Sequence, residues 1–369
     1  MPEPLRYSGC NHLRQRLCLA TVSGRPVIIT DIRPKDEDPG MRDYEASFVR
    51  LLDKITDGSD IQINETGTVL RYRPGQIVGG SGMIHTCPPS RCLTYFLEGL
   101  LFLAPLAKKM LSIRLLGVTN GGPDPSCDTF RTVTLPLLGR FGIVENLTFK
   151  ITKRGAMPDG GGEVIFTCPI INSIQPVELL NEGKVKRVRG VAYTTKVSPQ
   201  FAARMVDSAR GVLNDFLPDV WIFSDPSKGD AGGLSPGYGL SLVAETLTRC
   251  LKSADACAQV GDEDGKGTEL VAPEEVGKAA ALRLLAEINL DGAVDTVHQP
   301  LALYMLSLCE ETRPTRIRLS KLSPSAVQML RHIRDFLGVT FQIREDPEGQ
   351  TVVLSCIGAG VLNAARRTF

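Results

Sequence analysis

One order of elements recurs three times along this chain, and that repeat limits the fold more than any single motif. In the first unit, Leu13, Leu17, Cys18 and Ala20 fall at helical spacing over 11–23, with Gly24 as a stop. Residues 26–29 read as a strand. Met41, Tyr44, Phe48, Leu51, Leu52 and Ile55 then mark an amphipathic helix that ends at Asp57 and Gly58. Two alternating stretches, 61–63 and 69–72, flank Glu65, Thr66 and Gly67 as a hairpin. The same order of helix, strand, helix, strand, strand is predicted over 92–107, 111–116, 128–141, 147–152 and 163–167. It is predicted again over 274–288, 316–319, 325–337, 340–344 and 352–356. Units of about 70–80 residues sharing one pattern predict an α/β fold, built as three two-helix, four-stranded layers packed together.

One segment breaks the series. Residues 188–195 and 199–213 read as strand and helix, and 220–223 and 240–246 as further strands. The expected organisation is therefore a large domain over 1–186, a small α/β domain inserted over 187–264, and the rest of the large domain over 265–369. The acidic stretch from Gly261 to Gly267 is expected to be an exposed, mobile return loop.

Composition removes several function classes. A net charge of +1 gives no global field for nucleic acid, so any RNA surface must be a local patch. No run of about 18 or more apolar residues predicts a membrane span. The first residues lack the apolar core of a secretory signal. Ten cysteines without a CxxC pair and only four histidines leave a zinc site without its usual spacing. Reduced, buried thiols in an intracellular protein are the expectation, with no metal.

Three glycine-rich stretches border predicted strands: Arg73-Pro74-Gly75 with Gly79-Gly80, Lys153 to Glu163 with Gly160-Gly161-Gly162, and Ser235 to Gly239. None is a Walker A motif. Each reads first as a tight turn, with an anion cradle as the alternative. In their order, and with Gly24-Arg25-Pro26, Ile32-Arg33, Pro39-Gly40, Lys153-Arg154-Gly155, Pro273 to Gly277 and Gln299, they resemble the RNA 3′-terminal phosphate cyclases over nearly the whole chain. The resemblance implies the same three-unit fold with an insert, and repeats related to those of enolpyruvyl transferases.

Cyclases of this family adenylate a histidine set four residues before a glutamine, in the pattern His-x-x-Asp-Gln. Counting back from Gln299 gives Asp295, and His298 stands where the family has Asp. His298 lies three positions from the nucleophile's place and points elsewhere, so a hydrogen-bonded or RNA-contacting histidine is expected. Asp295 is expected to be a helix-cap or solvent-facing carboxylate. The amino-terminal pattern Glu-Gly-Gly-Gly-Gln-x-x-Arg is altered as well: here it reads Tyr7-Ser8-Gly9-Cys10-Asn11-His12-Leu13-Arg14, keeping Arg14. Two lesions argue against adenylation, and no cofactor is expected.

The altered pattern resembles the eukaryotic, non-cyclising branch of the family. That likeness implies a nuclear, nucleolar factor of the small-subunit processome, acting in 18S rRNA maturation beside a partner GTPase. Arg14, Arg16, Arg33, Arg42, Lys153 and Arg154, with Gly160, Gly161, Gly162, His298 and Gln299, are the candidates for phosphate or RNA binding in the old cleft. Arg313, Arg316, Arg318 and Lys321, followed by Arg331 and Arg334, form a second basic cluster for a protein partner or pre-rRNA. An aromatic content of 6% does not suggest base stacking. Solvated surface charge is the plain alternative for both clusters. A pre-rRNA endonuclease and a residual cyclase are the competing functions. Asp295, His298 and His12 are the few acid–base candidates for cleavage, without a convincing pair among them.

Overall fold

The structure is a computed structural model, and it describes residues 3–258, 271–346 and 349–363. Four four-stranded sheets carry the chain. The first holds β1 (Leu5–Ser8), β2 (Val27–Thr30), β3 (Asp60–Ile63) and β4 (Leu70–Arg73) in the order β1-β2-β4-β3. The second holds β5 (Gly80–Thr86), β6 (Leu111–Gly117), β7 (Thr148–Lys153) and β8 (Gly162–Cys168) in the order β5-β6-β8-β7. In both, the first strand runs parallel to the second and the remaining pairs are antiparallel. Parallel neighbours need a crossover, which α1 (Leu13–Ser23) and α3 (Leu93–Leu103) supply. The second helices are α2 (Asp43–Ile55) and a helical run, α4, over 127–140 that is π-helical at Phe130–Thr134.

The third sheet repeats this arrangement with an interruption. Its first strand, β9 (Glu178–Leu179), pairs in parallel with β14 (Thr315–Leu319). Between them comes a fourth sheet of β10 (Val185–Thr195), β11 (Val220–Ser227), β12 (Gly237–Thr246) and β13 (Leu251–Cys257), in the order β11-β10-β12-β13. Two helices cover one face of that sheet: α5 (Gln200–Leu213) and α6 (Pro273–Asn289). Ala202, Met205, Ala209 and Leu213 of α5 pack with Val276, Ala280, Ala281 and Leu284 of α6 in a core of their own. The helix expected over 274–288 as the first of the third unit thus belongs to the packing of the inserted sheet. The crossover helix of the third unit is α7 (Gln299–Leu308). Then follow α8 (Pro324–Leu337), β15 (Gln342–Glu345) and β16 (Val352–Cys356), giving the order β9-β14-β16-β15.

The sequence hides α7 for a physical reason. All ten of its residues are buried, so it is apolar on every side and shows no amphipathic period. It packs with the buried α3, where Tyr304 sits over Phe102 with ring centroids 4.3 Å apart. The main core spans all three units, from Leu17 and Leu52 through Phe96 and Phe166 to Leu303 and Leu354. The acidic stretch Gly261 to Gly267 lies outside the described residues. No described helix is long and apolar enough to cross a membrane.

Candidate functional site: a cleft with neutralised arginines

Asp295 lies in the turn that leads into α7, where three parts of the molecule meet. Its Oδ1 is 2.5 Å from His298 Nδ1 and accepts the His298 backbone N–H at 3.0 Å. Its Oδ2 accepts from the backbone N–H of Ser253 on β13 at 2.9 Å and from the Ser253 hydroxyl at 2.5 Å. His298 Nε2 meets the Thr134 hydroxyl of the π-helical turn at 2.8 Å. Asp295 is 1% exposed and His298 4%. Burial opposes charge on both. The mutual attraction outweighs it, holding Asp295 below the usual carboxylate range and His298 above the usual imidazole range.

The expectation of a solvent-facing Asp295 is therefore corrected. A buried carboxylate needs donors, and this one has four. The expectation that no convincing pair joins Asp295 and His298 is corrected too, since they form a tight buried ion pair. His298 and Gln299 do not present themselves to RNA. Gln299 is fully buried, donates to Ser320 Oγ at 3.1 Å and accepts from Ser323 N at 2.8 Å.

The amino-terminal lesion has a similar ending. Tyr7, in place of the family's acid, donates its hydroxyl to Asp335 at the end of α8 at 3.0 Å. Arg16 lies 4.6 Å from the centre of the Tyr7 ring and donates to Gly9 O at 2.8 Å. His12 takes a left-handed conformation (φ 57°) at the start of α1 and faces His332 edge to face. None of the hydrogen bonds of Asp295 or His298 among the described residues involves His12.

The cleft arginines already have partners. Arg14 pairs with Glu98, donates to Tyr95 O at 2.6 Å, and lies over the Tyr95 ring at 4.4 Å. Arg33 forks onto Glu45 at 2.7 and 2.9 Å. Arg154, 4% exposed, forks onto the buried Asp128 at 2.7 and 3.0 Å and reaches Asp225 at 2.7 Å. Arg42 holds Asp36 at 2.8 Å on the surface, and Lys153 is exposed. Each fork is a charge-assisted pair that a phosphate would have to displace.

The glycine turn is likewise occupied by protein. A Cβ on Gly161 (φ 76°) would lie 2.9 Å from Leu234 N, and one on Gly162 2.8 Å from Gly155 N. Leu234 N donates to Gly160 O at 2.9 Å and Arg154 N to Ala231 O at 2.9 Å. The turn is where the loop after β11 docks, which is the tight-turn reading of its glycines.

A cleft of about 630 Å³ opens between the second unit and the inserted sheet, lined by Ser90, Asn120, Gly122, Met157, Tyr193 and Cys257 among others. Polar groups lie behind it: Asn120 lines this cleft, while Asp124, Ser126 and Asp255 line a smaller neighbouring pocket of about 60 Å³. Asn120 Nδ2 donates to Asp128 at 3.1 Å. Arg91 forks onto Asp124 and lies over the rings of Tyr44 and Tyr95 at 5.0 and 4.6 Å. Asp255, held by Ser126 and Thr129 hydroxyls at 3.0 and 2.9 Å, is pushed above the usual range by burial. These groups went unnoticed in the sequence; the signal was Asn120-Gly121-Gly122-Pro123-Asp124, a turn set between a strand and a helix start.

The second basic cluster is divided by a sheet. Ile317 and Leu319 of β14 share the core with Met329 and Ile333 of α8, so Arg316 and Arg318 emerge from the opposite face. Arg331 and Arg334 stand exposed on α8, and Arg313 is exposed before β14. Arg318 pairs with Asp346 at 3.0 Å and Arg316 with Glu178 at 3.8 Å.

Against known proteins, the family model for RNA 3′-terminal phosphate cyclase matches residues 5–343. The chain is 48% identical to a probable RNA 3′-terminal phosphate cyclase-like protein of Dictyostelium discoideum, over 99% of this chain and 100% of that protein. It is 47% identical to the human RNA 3′-terminal phosphate cyclase-like protein, over 98% of this chain and 97% of that one. It is 43% identical to the rRNA processing protein rcl1 of Schizosaccharomyces pombe, over 98% of both. With a family model matching residues 5–343 and relatives of this kind along its length, the chain belongs to the RNA 3′-terminal phosphate cyclase family, among its cyclase-like proteins.

Proposed function

We propose that the protein is a non-cyclising factor of small-subunit rRNA processing, resident in the nucleolus within the processome and acting beside a partner GTPase. The observation that carries this reading is the enclosure of Asp295. A group bonded to Ser253 and His298 and shut off from solvent has no path to the α-phosphate of ATP. The name of the Schizosaccharomyces pombe relative supports the pathway.

RNA contact is assigned to the exposed Lys153 and the half-buried Arg42, two of the cations expected in the old cleft. The partner is assigned to the arginines around the third sheet, Arg313, Arg316 and Arg318 before and along β14 and Arg331 and Arg334 on α8. The domain division of a large body with an inserted unit serves this role by placing the cleft between them. Strand scission is not assigned, because the acid–base pair Asp295 and His298 is enclosed away from any scissile phosphate.

The test replaces the Schizosaccharomyces pombe relative with this chain. Restored mature small-subunit rRNA, nucleolar fluorescence of a tagged copy and co-purification of a GTPase support the proposal. A stably expressed chain that leaves precursor rRNA unprocessed would overturn it. In the same strain, Arg42→Glu with Lys153→Glu is expected to weaken cross-linking to precursor RNA, and unchanged cross-linking would remove these two cations from the RNA reading.

A further inference from the structure

The outer face of the third sheet carries a groove of about 780 Å³, bounded by Arg316, Arg318, Arg344, Val353 and Ile357 among others. Strand register puts these side chains in rows. Arg318, Val353 and Arg344 are cross-strand partners in one row, and Arg316, Ser355 and Gln342 in the next. Pro314 and Ile357 continue the face one step beyond, and Ile357 is 59% exposed. Arg316 and Arg318 are two residues apart on one strand, so their side chains leave the face about 6.6 Å apart. Arg344 stands two strands across from Arg318, about 9.5 Å away.

Three guanidiniums here meet two carboxylates, Glu178 and Asp346. The Arg316–Glu178 contact is long, at 3.8 Å, and both side chains are half-exposed or more, so it stabilises little and yields to a better acceptor. The Arg318 Nε is screened from water and has no acceptor among the described residues. The floor between the arginines is mixed, with Val353 between Arg318 and Arg344 and Ser355 between Arg316 and Gln342. Among the described residues no aromatic side chain lines the groove, so the groove they form offers an unpaired base no stacking platform. A face with cations at the spacing of alternate residues over small aliphatic and polar side chains matches an extended polypeptide.

We propose that this groove docks an extended acidic segment of a protein partner. An apolar side chain of the segment sits over Pro314 and Ile357, and carboxylates two and four positions further along meet Arg316 and Arg318, with Arg344 closing the far wall. The inference rests on the partner-binding part of the proposed function and names its site and chemistry.

The test uses the full-length protein and a fluorescein-labelled peptide built on the repeat Leu-Ser-Glu-Ser-Glu, followed by fluorescence anisotropy. Arg316→Glu with Arg344→Glu is expected to weaken binding at least about tenfold, since it removes the Arg316 ion pair and makes the far wall repel an acidic segment. Both side chains are exposed, and an unchanged melting curve shows that the fold is kept. Ile357→Ser is expected to weaken the peptide severalfold while leaving its salt dependence intact. Wild-type protein that does not bind the peptide, a charge-reversed variant that binds as tightly, or a single-stranded RNA of equal charge that displaces the peptide equally well would each overturn the proposal. Such a failure together with restored rRNA processing in the fission-yeast replacement sinks this inference alone. Loss of processing with normal peptide binding sinks the function and leaves the groove.

Discussion

His298 Nδ1 and Asp295 Oδ1 lie 2.5 Å apart in a setting closed to water, with Ser253 on the far side of the carboxylate and Thr134 on the far side of the imidazole. Asp295, expected from the resemblance to stand at a cyclase's nucleophile position, here joins the third unit, the inserted sheet and, through His298, the second unit. Its contribution is to stability.

Removing one partner of this pair leaves the other charged and buried, which costs about 3–5 kcal/mol. Asp295→Ala is therefore expected to lower the unfolding free energy by that order in urea denaturation. Replacing both residues, as Asp295→Asn with His298→Gln, is expected to cost less than the sum of the single changes. Single variants within about 0.5 kcal/mol of wild type would contradict the assignment of a structural pair.

The arginines differ sharply in what they support. Arg154→Ala leaves the fully buried Asp128 with only Arg131, at 3.3 Å and partly exposed, as a cationic partner, and the expected loss is about 3 kcal/mol. Arg42→Ala breaks only surface contacts with Asp36 and Asp38, and the expected loss is about 1 kcal/mol or less. Equal effects in the same denaturation assay would show that burial does not separate the two.

Gly161 packs against the backbone of Leu234 in a left-handed conformation. Gly161→Ala adds a strained backbone and a clash, so a loss of more than about 1 kcal/mol is expected. Hydrogen exchange is expected to rise in the segment 229–235, since that loop docks on the glycine turn. Unaltered exchange there would contradict the docking role.

Stability should fall on mild acidification. Burial, then Arg16 and His12, push the His332 imidazole down to about 3, and burial, then Lys54 and Arg50, push His85 down to about 4. In the unfolded chain both titrate near about 6.5. Between these values the unfolded state binds more protons, so stability drops as the pH falls below about 6.5. His298 runs the other way: its folded value is raised, so its stabilisation is complete below about 6.5 and is lost as the pH rises through the folded value. Asp295, lowered, keeps its stabilisation above about 3.9 and loses it as the pH falls through the folded value. The urea midpoint is expected to fall from pH 7 to pH 5, and less steeply in His332→Leu. A midpoint that rises over that window would contradict this.

The amphipathic α2 and α8 were legible because each buries one face and shows the other to water. The buried α7 was not, since enclosure on all sides removes the pattern that marks a helix. Strand β13 was missed because Lys252, Ser253 and Asp255 read as loop residues. Lys252 and Ser253 are buried and Asp255 partly so, against Glu182, Asp295 and Ser126, partners that local sequence does not reveal. The register from Gln299 to Asp295 could be read along the chain. The neutralisation of Arg14 could not, because Glu98 is 84 positions away. Residue type identified the cations of the cleft, and only the fold shows which of them are already matched by carboxylates.

The most direct measurement is covalent nucleotide transfer. Purified protein is incubated with ATP labelled at the α-phosphate, with and without an RNA bearing a 3′-phosphate, and the label on the protein is counted after denaturing electrophoresis. The account predicts no protein-bound AMP and no 2′,3′-cyclic end on the RNA, because Asp295 is enclosed and fully hydrogen-bonded. A stable protein–AMP adduct that vanishes in Asp295→Asn or His298→Gln would contradict it.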